Sequence, residues 1–151
     1  MPKIDLDAAP QIAGTTYPGP YDIPCRTRVR RVLGEAAGLT QFGVNLQTLP
    51  PGAWSSQRHF HTAEDEFVWI LEGELVLVTD EGEQTLRAGD CAGFKAGTPN
   101  GHHLQNRSAT TARLLAVGSR NPATDVAHYP DIDLLWSEAN GDTHTDGTPY
   151  T

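Results

Sequence analysis

Apolar and polar residues alternate in short runs through the middle of the chain, and turn-forming residues separate the runs about every ten positions. Alternation with a period of two is typical of a strand that buries one face. The pattern predicts strands at residues 26–33, 42–49, 54–61, 66–71, 74–79, 84–87, 90–95, 102–106 and 112–118. Short strands in such a series favour an all-β sandwich or barrel.

The two ends of the chain are less regular. Residues 1–25 contain five prolines, and because proline has no N–H to donate, they predict an extended arm. Residues 34–39 predict a turn or short helical piece. Residues 129–134 predict a short strand or turn over one barrel end, and residues 139–151 a surface loop. We therefore expect one domain, 1–151, with an arm at 1–25, a barrel core at about 26–119 and an extension at 120–151.

Charge and cysteine content narrow the partners and the compartment. The 151 residues carry 19 acidic and 11 basic side chains, for a formal net charge of −8. This balance disfavours nucleic acid and an anionic membrane as partners, and we expect neither a transmembrane helix nor a secretory signal. Cys25 and Cys91 predict reduced thiols in a cytoplasmic protein, with a single bridge left open. Cys91 is expected to be a small buried hydrophobe.

A metal-ligand pattern spans the end of the third predicted strand and the start of the fourth. His59 and His61 are two residues apart and project to the same side of a strand. A turn at residues 62–65 then returns the chain, so that Glu66 begins the next strand beside them. Two imidazoles and a carboxylate suit Mn, Fe, Co, Ni, Cu or Zn. A fourth ligand must come from another strand.

These residues resemble the motifs of the cupin superfamily. The spacing Gly52-x6-His59-x-His61-x4-Glu66-x6-Gly73 matches the first cupin motif, G(X)5HXH(X)3,4E(X)6G, with one extra residue after Gly52. The second motif, G(X)5PXG(X)2H(X)3N, is matched more loosely. Its equivalents are Gly89, Lys95 in place of proline, Gly97, a histidine that arrives late, and Asn106.

The resemblance also covers the runs 64–68, 101–107, 129–134 and 146–150, which are similar to a group of small bacterial single-domain cupins. It implies a jelly-roll barrel, or double-stranded β-helix, that holds one divalent transition metal, with Fe, Mn, Ni or Zn as the choices. The ligands carried over are His59, His61, Glu66 and His102. His103 remains the alternative fourth ligand, although the spacing to Asn106 favours His102.

Three further residues are candidates for binding a substrate. Gln57 shares the parity of His59 and of Ser55, so it either hydrogen-bonds a substrate or belongs to a polar lining. Lys95 is either a solvated strand end or a point charge for a substrate carboxylate. His103 is either outward-facing or lies beside the metal ligands.

Strand alternation also indicates which side chains face outwards and which face inwards. We expect a solvated, charged strand face formed by Arg26, Arg28, Arg30 and Arg31. Val68 and Ile70 share the parity of Glu66, so we expect them in the pocket wall or the core. Phe67 and Trp69 point the other way, towards a second layer or a partner. We expect a homodimer in which residues 1–30 pack on the partner's sheet.

Several functions fit this interpretation, since a cupin barrel hosts many activities. We favour an enzyme that acts on a small oxygenated molecule by Fe(II)-dependent dioxygenase chemistry. A Mn, Ni or Zn site would instead favour a Lewis-acid isomerase or decarboxylase. The alternative to an enzyme is a metal-binding cupin that holds a small carboxylate or sugar-like ligand. No catalytic residue beyond the ligands is identified.

Overall fold

The computed structural model describes residues 2–151, and nearly all of its regular structure is strand. The only helical pieces in this described part are a 3-10 turn at Ile23–Cys25 and α1 at Leu33–Ala36, and neither is long or apolar enough to cross a membrane. The strands are β1 (Gln11–Ala13), β2 (Val29–Val32), β3 (Phe42–Leu49), β4 (Phe60–His61), β5 (Glu66–Glu72), β6 (Glu74–Thr79), β7 (Gly82–Arg87), β8 (Cys91–Phe94), β9 (His103–Gln105), β10 (Ala112–Ser119), β11 (Ala127–Tyr129), β12 (Leu134–Ser137) and β13 (Gly141–Thr143).

The strands form three antiparallel sheets. The largest has the order β1-β2-β3-β10-β5-β8, the second β13-β12-β11-β4, and the third β7-β6-β9. Strand β10 crosses the middle of the large sheet, where Ala112 pairs with Leu49 of β3 and Gly118 pairs with Glu66 of β5. This arrangement confirms the predicted all-β jelly-roll fold.

The core lies between the large sheet and the three-stranded sheet. Leu49 and Ile70 from the large sheet and Leu75 from β6 are fully buried, at 0% exposure. On β5, Val68 and Ile70 face this core, whereas Phe67 and Trp69 lie on the exposed side. The two faces predicted from the alternation of residues 66–71 are therefore confirmed.

Gly73 allows the tight turn between β5 and β6. Its φ is +78°, and a Cβ at this position would lie 3.0 Å from both Ala112 Cα and the Thr111 carbonyl oxygen. Neither backbone atom can move aside without disturbing β10. The last glycine of the first motif is thus required both by its left-handed conformation and by close packing.

The chain ends are more ordered than predicted. Residues 11–13 of the arm pair with β2 of the same chain, with Gln11 opposite Arg31. The expected loop at residues 139–151 is wrong in part, because β13 pairs with β12. The carboxylate of Asp133 accepts hydrogen bonds from the backbone N–H of Thr145 and from His144 Nδ1, at 2.8 Å and 2.7 Å. Polar residues that appeared loop-like therefore satisfy one another and fix the tail.

The predicted strand at 54–61 is mostly irregular. Only Phe60–His61 is strand, and it pairs with β11 rather than with the barrel sheets. Upstream of it, isolated bridges join Trp54 to Gln105 and His59 to His102.

The solvated face predicted for the arginines is wrong for Arg28 and Arg30. Arg28 is only 8% exposed, and its guanidinium donates to the backbone carbonyls of Gly14, at 3.0 Å, and Ser55. Arg30 lies opposite Gln47 of β3 and shares its inward face. Both sides of β2 carry arginine, so alternation alone could not tell the inner face from the outer one.

The prediction of a buried Cys91 is also wrong. Cys91 begins β8, an edge strand of the large sheet, and is exposed, whereas Cys25, at the end of the arm, is buried at 0% exposure. Both thiols are free.

Candidate metal centre

Four polar residues come together from three segments of the chain. His61 lies on β4 and Glu66 is the first residue of β5. His59 and His102 lie just outside regular strands, where they exchange two backbone hydrogen bonds, N–H of His59 to O of His102 at 3.2 Å and the reverse at 2.8 Å. This bridge places the late histidine of the second motif next to the first motif.

The Nε2 atoms of three imidazoles converge on the carboxylate of Glu66. Its Oε1 lies 2.8 Å from His61 Nε2 and 3.3 Å from His59 Nε2. Its Oε2 contacts Nε2 of His102. Candidate ligand atoms of His59, His61 and Glu66 all lie within 4.8 Å of one another, and the ring of His102 lies 4.9 Å from that of His59.

The remaining ring nitrogens of two of these histidines have acceptors. His61 Nδ1 lies 2.6 Å from Oδ2 of Asp125, a residue that is only 2% exposed. His59 Nδ1 lies 2.8 Å from the carbonyl oxygen of Gln57. An N–H at Nδ1 satisfies each acceptor and leaves Nε2 as a bare lone pair. With all three Nε2 atoms unprotonated, lone pairs of the imidazoles and the carboxylate face one another. A proton on His61 relieves that repulsion without a metal, and a transition metal, which the donor set fits, would relieve it when bound.

The protonation of the cluster follows from its burial and its hydrogen bonds. Burial disfavours ionised Glu66, but hydrogen bonds with His102, His59 and His61 outweigh it and hold the pKa of Glu66 far below its usual range. Burial also disfavours charged His61, but Glu66 and Asp125 raise its pKa to about 9. Burial lowers the pKa of His102 despite its contact with Glu66. The cluster thus holds an ionised carboxylate beside at least one neutral imidazole.

His102, just before β9, and His103, its first residue, have different surroundings. His102 turns Nε2 towards Glu66, and its Nδ1 is buried with no hydrogen-bond partner among residues 2–151. His103 is also buried, at 4% exposure, rather than outward-facing. Its Nδ1 lies 2.9 Å from the Ser56 carbonyl oxygen, and its Nε2 lies 3.0 Å from Gln105 Nε2. Both nitrogens of His103 are engaged away from Glu66.

Two predicted substrate contacts lie to the side of the cluster. The Gln57 side chain is buried and donates to the backbone carbonyl of Tyr21 in the arm, at 2.7 Å. Its amide therefore ties the arm to the barrel. Lys95 is exposed and lines a smaller cavity of about 230 Å³, which it shares with His61 and Glu66.

Comparison with known proteins gives the family. A cupin domain profile matches residues 45–118, which contain all four clustered residues. A sugar phosphate isomerase of the cupin superfamily from Silicibacter pomeroyi is 47% identical, and the alignment covers 99% of this chain and 97% of that one, with a TM-score of 0.91. This chain is a cupin.

Other solved structures resemble this cupin less closely. A candidate sugar phosphate isomerase from Acidithiobacillus ferrooxidans is 28% identical over 83% of this chain and 81% of its own, with a TM-score of 0.73. A Thermus thermophilus protein is 25% identical over 81% of this chain and 100% of its own, with a TM-score of 0.57. No functionally curated protein matches the chain.

The cluster forms one wall of the main cavity of this cupin. The cavity has a volume of about 440 Å³, which falls within the range of small-molecule sites. Apolar side chains of Phe94, Val68 and Leu114 line it as well. Its remaining polar lining includes Tyr17, Arg28, Arg30, Asn45, Gln47 and Tyr129.

Several of these residues carry no sequence signal. Asp125 lies 64 positions from His61 in the extension, outside both motifs. Tyr17 comes from the arm and Tyr129 from β11, and their hydroxyl oxygens lie 3.3 Å apart. Burial raises the pKa of both tyrosines, so they are neutral hydroxyl groups. Only the fold brings Asp125 to His61 and the two tyrosines to the cavity.

Proposed function

We propose that this cupin binds one divalent transition metal through His59, His61, Glu66 and His102 and isomerises a small sugar-like substrate. The observation that carries the proposal is the convergence of three imidazole Nε2 atoms on one ionised carboxylate in the wall of a cavity. Fe, Mn, Ni and Zn all accept this donor set. His102 is preferred to His103 because only His102 contacts Glu66.

The residues around the metal would each have a defined task. When bound, the cation supplies Lewis acidity that polarises a carbonyl or hydroxyl oxygen of the substrate. Asp125 would hold the His61 ring in orientation through Nδ1. The neutral hydroxyls of Tyr17 and Tyr129 can hydrogen-bond substrate oxygens, while Phe94 limits access of water from its side of the cavity.

An isomerase is preferred to the Fe(II)-dependent dioxygenase that the sequence favours. Both would use the same ligands, so the site itself does not separate them. The preference rests on similarity along almost the whole chain to the Silicibacter pomeroyi sugar phosphate isomerase. A dioxygenase, or a cupin that only binds its ligand, is then an outcome of the test.

Metal analysis and product detection test the proposal in sequence. We expect about one metal per chain in the wild type and loss of the metal in His61→Ala. His144→Ala is the matched control, because His144 is also paired with an aspartate but lies on the exposed tail. Loss of metal in both variants, or in neither, would contradict the site.

The metal-loaded protein is then incubated with aldose phosphates in the absence of oxygen and followed by proton NMR. New ketose signals that require His61 would support the isomerase. Oxygen uptake with a chelating carbonyl compound and no isomerisation would move the assignment to a dioxygenase, while tight binding without turnover would leave a binding protein.

We also propose that the protein is a cytoplasmic homodimer. Phe67, Trp69 and Leu71 are 37%, 48% and 43% exposed on the outer face of the large sheet, and an apolar patch of this kind often marks an interface. This face supports the dimer better than the arm, since part of the arm already pairs within its own chain. Light scattering after size exclusion should give twice the chain mass for the wild type and a smaller mass for Trp69→Ser, and a wild-type monomer at all concentrations would contradict the dimer.

A further inference from the structure

Two arginines enter the main cavity without an acidic partner. Arg28 is 8% exposed, and its hydrogen-bond partners are the neutral carbonyls of Gly14 and Ser55. Arg30 forms no side-chain hydrogen bond or ion pair within residues 2–151, and its Nε is buried and unpartnered. Buried charges in proteins are normally paired, because an isolated charge loses its hydration.

The neighbouring strand β3 places no negative charge opposite Arg30. Gln47 lies directly opposite Arg30, and its Oε1 is likewise buried without a partner. Burial, and after it the positive charge of Arg28, lowers the pKa of Arg30. The two guanidiniums therefore repel each other, with Arg28 buried and Arg30 half-buried.

The carboxylates of the cavity are not placed to neutralise this pair. Glu66 is engaged by the histidines, and Glu64 accepts the backbone N–H of Asn121 at 2.9 Å. Glu138 and Asp142 also line the cavity, but neither forms an ion pair with an arginine. Glu35 also acts electrostatically on Arg30, but it forms its ion pair with Arg120, at 3.5 Å, and none with Arg30. A bound anion would therefore supply a counter-charge that the described residues do not place on the pair.

We propose that Arg28 and Arg30 form an anion subsite that binds the phosphate monoester of the substrate. Planar guanidiniums match phosphate oxygens in pairs, and two of them suit a dianion. The subsite shares a cavity of about 440 Å³ with the histidine cluster, so one small molecule can reach both. The inference rests on the proposed function in taking this cavity as the substrate site, and it makes that substrate a sugar phosphate rather than a neutral sugar.

Calorimetric titration with inorganic phosphate tests the subsite directly. The variant is Arg30→Met, which removes the charge and keeps the aliphatic stem. The matched control is Arg31→Met, because Arg31 is the next residue on β2, has the opposite parity and donates to the Leu6 carbonyl instead. We expect Arg30→Met to weaken phosphate binding by about tenfold or more, the factor of one charge-assisted hydrogen bond, while Arg31→Met leaves it unchanged.

Thermal unfolding separates binding from a structural role. In phosphate-free buffer Arg30→Met should melt at or above the wild-type temperature, because an unpaired charge is removed. Phosphate should raise the melting temperature of the wild type and of Arg31→Met but not of Arg30→Met. A lower melting temperature for Arg30→Met without phosphate, together with unchanged phosphate affinity, would overturn the proposal.

His61→Ala keeps the two proposals distinguishable. Binding that persists in His61→Ala and is lost in Arg30→Met supports the subsite, whether or not the metal assignment holds. Binding that is lost in His61→Ala and retained in Arg30→Met places phosphate on the metal and overturns the subsite. No binding to the wild type at millimolar phosphate also overturns it.

Discussion

Asp125→Asn tests the metal centre by changing the residue that orients the proposed ligand His61, and leaves the four proposed ligands themselves unchanged. The Asp125 carboxylate accepts two hydrogen bonds, from His61 Nδ1 at 2.6 Å and from the backbone N–H of Ala63 at 2.9 Å. An asparagine side chain has one oxygen, so one of the two donors must face the amide NH2. The buried donor that loses its acceptor costs about 1–3 kcal/mol of folding stability.

The effect on metal affinity follows from the orientation of the His61 ring. Loss of a group that holds a ligating histidine typically weakens metal binding by about 10–100-fold, or roughly 1.4–2.7 kcal/mol. We expect this factor for Asp125→Asn in a competition titration against a fluorescent chelator.

Asp133→Asn is the control, because Asp133 also accepts a histidine Nδ1 and a backbone N–H but lies on the tail. We expect it to bind metal as the wild type does. Equal metal affinity in Asp125→Asn, Asp133→Asn and the wild type would refute the orientation of a His61 ligand by Asp125.

Three further predictions concern stability and thiol chemistry. Leu75→Ala in the filled core should lower the free energy of unfolding by about 2–5 kcal/mol in urea denaturation, and a loss below about 1 kcal/mol would place Leu75 outside the core. Gly73→Ala should be clearly more destabilising than Gly38→Ala, because a Cβ at Gly73 meets backbone at 3.0 Å while Gly38, also at positive φ, faces open space; equal losses would contradict the packing argument. Burial raises the pKa of Cys25 to about 11, so at pH 8 an aromatic disulfide reagent should label Cys91 rapidly and Cys25 only on unfolding. Equal labelling rates of the two cysteines at pH 8 would count against this burial. An unfolded thiol ionises near pH 8.5, so the folding stability contributed by protonated Cys25 is complete below about that pH and is lost as the pH rises towards about 11.

The sequence predicts the strands that carry a regular alternation or a short apolar run bounded by turn residues. Residues 42–47 alternate and residues 75–78 are an apolar run, and the structure has strands at 42–49 and 74–79, the predicted bounds. Alternation says much less about β2, where Arg30 and Arg31 put the same side chain on opposite faces. Pairing with β3, which is a long-range contact, decides which face of β2 points inward.

The same distinction holds for the candidate site. His59, His61 and Glu66 are close in sequence, and the strand period and the turn at 62–65 suffice to bring them together. The place of His102 depends on its bridge to His59, 43 positions away. The support from Asp125 comes from a tail with no periodic signal, so only the folded chain reveals it.

Anomalous X-ray diffraction from crystals of the metal-loaded protein tests the central claim most directly. The account predicts one anomalous peak per chain, at about 2.0–2.2 Å from Nε2 of the three clustered histidines and from a carboxylate oxygen of Glu66. A peak elsewhere, or none at this cluster in protein that has been shown to contain metal, would contradict it.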